Sequence, residues 1–190
     1  MDDPNARCHA QPSMVPPPGS YTFGPHNGRI LVRTYREGFA KAVGHDLVIE
    51  VGEWSAEANV GEDPANTTIT ATAQVDSLNP IEGVGGVKPL SDADKSEIKK
   101  NIKKAPTSPE ISFQSSSVKV AGNSATVTGN LTIVGRSQAV DVQMTESGGK
   151  VKGSFSVLQT RWGIKPYTGL LGALRLADRV DIEFEVDLPA

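Results

Sequence analysis

The chain has 190 residues and a mass of 20.1 kDa, the size of one domain with or without a tail. Hydrophobic residues make up 37%, with 19 Gly and 13 Pro, enough for a core in a turn-rich chain rather than a helical bundle. A net charge of −3 disfavours a general nucleic-acid binder, the single Cys8 excludes a disulfide framework or multi-cysteine metal site, and three dispersed histidines argue against a histidine zinc centre.

Residues 1–19 hold Pro4, Pro12, Pro16, Pro17 and Pro18 and begin with two aspartates after Met1. With no apolar period to bury, they read as a disordered tail ahead of one domain spanning 20–190. They have neither the positive start nor the apolar stretch of a secretory signal. The chain as written is therefore expected to be cytoplasmic, or periplasmic or secreted had a leader been removed ahead of Met1. No run approaches 18 apolar residues, so no membrane-spanning helix is expected.

From Gly28 onward the dominant pattern is alternation of apolar and polar residues, the period of strands with one wet face. His45 to Val60 exceeds an ordinary strand, and Gly52 in its middle marks a bulge or bend. Ile69, Ala71, Ala73 and Val75 alternate with Thr68, Thr70, Thr72 and Gln74. Gly83 to Lys88 is glycine-rich but lacks the spacing of a phosphate-binding loop, and reads as a flexible connection. Ser91 followed by Asp94 predicts a capping box, Ile98 and Ile102 share one helical face, and Lys99, Lys100, Lys103 and Lys104 crowd the end where the macrodipole favours cations. One short helix over 91–104 is expected, docked outside the sheet through the two isoleucines.

Further strands follow at Val127, Leu131 and Ile133, at Val140, Val142 and Met144, and at Val151, Phe155 and Val157, separated by glycine turns. Residues 167–176 read as a weaker helix or coil. Val180, Ile182, Phe184, Val186 and Leu188 then alternate with Asp181, Glu183, Glu185 and Asp187. Those four acids share the solvent face and are no catalytic cluster. His45 and Asp46 are adjacent, so in a strand they point to opposite faces and make no natural dyad. With no nucleophile elbow and no zinc-binding helix motif either, the expectation is a role in tying turns rather than catalysis.

Four segments carry a resemblance. Pro109 to Ser115 fits a P-x-I-x-F-x-S strand, and Gly129 to Gly135 fits a G-[DN]-L-T-x-x-G hairpin followed by the apolar Val140. Trp162-Gly163-Ile164 fits an aromatic-Gly-Ile segment, and His45 stands near the end of the first long segment. In this order they make the chain resemble the YceI-like family from Tyr21 to Leu188. Many relatives carry an Arg-Asp-x-His-Leu-type stretch where this chain has Ser96 to Ile102. The resemblance implies an all-β fold: an extended eight-stranded antiparallel β-barrel, lipocalin-like, with a polyisoprenoid or similar lipid along its axis.

Alternation supplies a wall for such a ligand: Leu47, Ile49, Val51, Ile69, Phe113, Leu131, Ile133, Phe155, Val157, Ile182, Phe184 and Val186. His45, Arg161 and Trp162 are candidates for a mouth where a polar head would sit. Small inward residues, Ala71, Ala73, Gly129 and Gly153, are expected to leave space unfilled. The expected activity is non-enzymatic binding or carriage of a long isoprenoid or similar lipid, with no cofactor, no metal and no nucleic acid, and with a homodimer left open. Two readings compete with it: an interaction module with a filled core, and an enzyme acting on a lipid or quinone through His45.

Overall fold

Alternation with one wet face produces strands, and here they join into a single curled sheet. The computed structural model describes residues 15–104 and 108–189. In chain order the strands are β1 (Gly19–Phe23), β2 (Gly28–Glu37), β3 (Asp46–Val51), β4 (Trp54–Val60), β5 (Thr68–Gln74) and β6 (Leu78–Val84). After helix α1 (Asp92–Lys104) come β7 (Glu110–Ala121), β8 (Ser124–Ile133), β9 (Arg136–Ser147), β10 (Lys150–Leu158), β11 (Thr168–Gly169) and β12 (Leu174–Asp187). The order across the sheet is β1-β4-β5-β7-β8-β9-β10-β12-β2-β3-β6, with β11 paired to β12. Every pairing is antiparallel.

The expected eight strands are corrected to twelve among the described residues. Three long paths are each broken in two, and β11 is a two-residue addition. The β1–β2 path breaks at a turn in which Asn27 N–H donates to Gly24 O at 3.1 Å and Asn27 Oδ1 accepts from Gly24 N–H at 2.9 Å. The β3–β4 path breaks at Gly52 and Glu53, and the β5–β6 path at a single helical turn over Val75–Ser77. These last two breaks lie side by side: Gly52 N–H donates to Ser77 O at 3.1 Å and Gln74 N–H to Glu53 O at 2.9 Å. Because only two residues join β3 to β4, the ends of the sheet order are drawn together and the sheet curls around its apolar face.

The hairpins turn tightly. Gly148 and Gly149 between β9 and β10 have φ of 63° and 78°, the doubly left-handed turn whose twist matches the flanking strands. Outside the sheet, α1 packs on β6 with Ile98 and Ile102 half-buried. Its predicted cap is present: Asp94 N–H donates to Ser91 Oγ at 3.2 Å while Asp94 Oδ2 accepts from Ser91 N–H at 2.9 Å. The helix or coil expected over 167–176 is corrected to the short strand β11, a single helical turn at Leu170–Gly172 and the start of β12. Within the expected tail 1–19, residues 15–19 are described. Gly19 pairs with Val60 in β1, and Tyr21 OH donates to Pro17 O at 2.6 Å. Residues 1–14 lie outside the described residues.

Candidate ligand-binding cavity

Register places rows of inward side chains across the sheet. One row, Leu47, Thr34, Val180 and Val157, runs across β3, β2, β12 and β10, and its members are 7–8% exposed. Trp162, 1% exposed, packs with Val157 and Val180 in the same cluster. Its indole Nε1–H donates to Leu131 O at 3.1 Å, so the largest side chain of this end is both buried and satisfied. The row fills one end of the curl with side chains.

Farther along, the interior is not filled. A cavity of about 300 Å³ lies there, set in about 1760 Å³ of atom-free space that includes its open mouth. The volume is within the usual range of small-molecule sites. Nine of the twelve expected wall positions face it: Val51, Ile69, Phe113, Leu131, Ile133, Phe155, Ile182, Phe184 and Val186. Ala71 and Ala73 of β5 also line it, opposite Ala56 and Trp54 of β4. The polar side chains of the lining are few: Tyr21, Glu57, Thr67, Thr72, Gln74 and Ser112. Trp54 Nε1 and Thr67 Oγ1 are buried polar atoms with no hydrogen-bond partner among the described residues.

The structure places Leu47, Ile49 and Val157 elsewhere. Leu47 and Val157 belong to the filled row, and Ile49, buried beside Val32 and Pro80, is likewise outside the lining. Alternation assigns a side chain to the inner face but not to a height along the axis. The expected polar mouth is corrected for the same reason: His45, Arg161 and Trp162 all lie outside the cavity. Arg161 is exposed, its guanidinium 5.8 Å from the centroid of the Trp162 ring and its NH2 donating to Gln138 Oε1 at 3.3 Å.

His45 Nε2 meets Lys88 O at 2.8 Å. A carbonyl only accepts, so Nε2 carries the proton in this contact. The ring lies on the glycine-rich loop: a Cβ on Gly86 would come within 2.6 Å of His45 Nε2, and one on Gly83 within 3.0 Å of its Cδ2. Room for this imidazole, not phosphate binding, accounts for these glycines. Asp46 Oδ1 accepts from Arg36 N–H at 2.8 Å and sits 3.7 Å from Arg36 Nε. Both side chains tie the sheet to its loops.

Two of the expected hollows are occupied. A Cβ on Gly129 would overlap the Phe113 ring, and one on Gly153 the Phe184 ring. Those glycines seat aromatic rings, and the open space is owed to the alanines instead. Residues missed by alternation include Val15 and Pro16 from the expected tail, Tyr21 and Phe23 of β1, Ile30 and Val32 of β2, and Trp54. The alternation of Ile30 and Val32 is masked by Leu31, which is itself buried on the other face.

The strongest electrostatic perturbation lies away from the cavity, on the outer face. Burial pushes the Asp181 carboxyl upward. Hydrogen bonds from Arg179, Ser156 and Tyr35 outweigh it and hold the pKa down to about 2. Tyr35 OH donates to Asp181 Oδ2 at 2.6 Å and Ser156 Oγ–H to Oδ1 at 2.6 Å. The hydrogen bond to Asp181, with burial, raises the Tyr35 phenol above its ordinary value. This group ties β2, β10 and β12 together and contacts no cavity.

Among solved structures the chain is similar to BcnA of Burkholderia cenocepacia, with a TM-score of 0.60 and 20% identity over 84% of this chain and 94% of that one. A Campylobacter jejuni YceI protein aligns with a TM-score of 0.43 and 15% identity, covering 73% of this chain and 82% of that one. No curated protein matches. The family model described as YceI-like domain matches residues 21–188, nearly the whole described sheet, and the chain belongs to the YceI-like family.

Proposed function

We propose that this protein is a non-enzymatic binder of one long apolar molecule, an isoprenoid or similar lipid, held inside an extended lipocalin-like barrel. The observation that carries the reading is the cavity: about 300 Å³ of unfilled space walled by aliphatic and aromatic side chains from most of the sheet. A space so lined offers little hydrogen-bonding surface to water and favours an apolar occupant. Burial of one methylene is worth about 0.8 kcal/mol. The ceiling for large ligands, about 0.3 kcal/mol per heavy atom, allows a chain of about forty carbons up to roughly 12 kcal/mol, the nanomolar range. His45, the acid–base candidate of the sequence, is engaged with the Lys88 carbonyl outside the cavity, which supports binding over turnover.

The test is mass spectrometry of an organic extract of the purified protein, before and after exposure to polyisoprenoids. One lipid per chain is expected. An extract with no lipid after exposure overturns the reading.

A further inference from the structure

Three loops at one end of the sheet carry apolar side chains that the cavity does not use. They are residues 38–44 after β2, 84–90 after β6 and 163–173 before β12. Backbone and side-chain contacts bring them together. Ala40 N–H donates to Ala173 O at 2.9 Å, a Cβ on Gly44 would lie 2.6 Å from a Leu174 methyl, and His45 reaches Lys88 O at 2.8 Å. At this end Phe39 and Leu171 are fully exposed, at 104% and 109%, with Val43, Val87 and Leu170 exposed around them. Leu170 and Leu171 have φ of 48° and 54°, the left-handed region that a leucine side chain disfavours. Strain and full exposure are both costs in water, and side chains held under both indicate a surface that meets an apolar phase.

The charge of these loops is one-sided. Residues 38–44, 84–90 and 163–173 contain Lys41, Lys88 and Lys165 and no carboxylate, in a chain of net charge −3; at their border Arg175 pairs across strands with Glu37, and Asp94 lies within electrostatic reach of Lys88. The adjoining Asp46 is engaged by Arg36. None of the side chains named here lines the cavity, so the inference stands apart from the ligand reading.

We propose that this end docks on an anionic lipid bilayer surface. Phe39, Leu170 and Leu171 enter the boundary between headgroups and acyl chains, and Lys41, Lys88 and Lys165 meet lipid phosphates. Apolar anchors within a basic rim are the combination that reversible interfacial attachment requires. A second copy of this chain on the same patch would set the cations against each other.

Vesicle flotation of the full chain tests this. Vesicles of phosphatidylcholine alone are compared with vesicles of phosphatidylcholine and phosphatidylglycerol in equal parts. The protein is expected to float with the anionic vesicles and to be released by high salt. F39S/L171S is expected to lower the bound fraction about tenfold or more, and K41E/K165E comparably. Both variants should keep the parent melting temperature, because their sites are exposed. Absence of flotation with anionic vesicles, or undiminished flotation of F39S/L171S, overturns the proposal. So does a parent that sediments as a dimer while F39S/L171S sediments as a monomer, which would assign the patch to a second copy.

Discussion

Gly153 shows how a single position shapes the interior. It pairs across strands with Phe184, whose ring occupies the place a Cβ would take. Gly153→Ala should therefore force the ring off its seat and toward the cavity, at a cost of about 1–3 kcal/mol. Chemical denaturation should show a lower midpoint with an unchanged slope. From the sequence alone this glycine reads as empty space, because the partner that fills it is 31 residues away and is identified only by register. His45 carries the same lesson. Its residue type suggests acid–base chemistry, yet its place on the glycine loop makes it a fastening between β3 and residues 83–88.

At the scale of elements, α1 and the outer face of β12 each rest on a local polar device. Ser91 caps α1 reciprocally with Asp94, and Ser91→Ala should destabilise the protein by about 1 kcal/mol, read from thermal or chemical unfolding. The device on β12 is pH-dependent. The Asp181 pKa is lowered in the fold to about 2, against about 3.9 for an unperturbed aspartate. Its contribution to stability is therefore complete above the unfolded value and is lost as pH falls from about 4 toward 2. Tyr35→Phe removes one of the hydrogen bonds that hold the carboxylate. It should destabilise the protein at pH 7, and the difference from the parent should shrink through that acid window. A difference that stays constant from pH 7 to pH 2 would show that Tyr35 acts by packing alone.

For the whole molecule, the decisive division is between the filled end and the open part of the interior, and two substitutions separate them. Ala71 lines the cavity beside Ala56 and Phe113, so Ala71→Phe should fill the space, abolish lipid recovery in the extract and leave a cooperative unfolding transition. Val157 belongs to the packed row with Val180 and Trp162, so Val157→Ala should cost about 2 kcal/mol and leave lipid recovery intact. The opposite pattern would mean that the ligand occupies the Trp162 end.

The sequence by itself determined the all-β class, the positions of most strands, the capped helix and the family, because these rest on local periodicity, turn chemistry and short motifs. It also assigned most inward faces, since a strand's side chains alternate with period two whatever surrounds them. Only the tertiary structure decided that the β1–β2 and β5–β6 paths break in two as the β3–β4 path does at Gly52, that Trp162 is a buried plug rather than a mouth, and that Gly129 and Gly153 seat aromatic rings. It alone decided that Leu47, Ile49 and Val157 stand away from the cavity while Ile30, Val32 and Trp54 line it. The physical reason is that alternation specifies which face a side chain takes. Its height along the axis, and what meets it there, depend on register with strands distant in sequence.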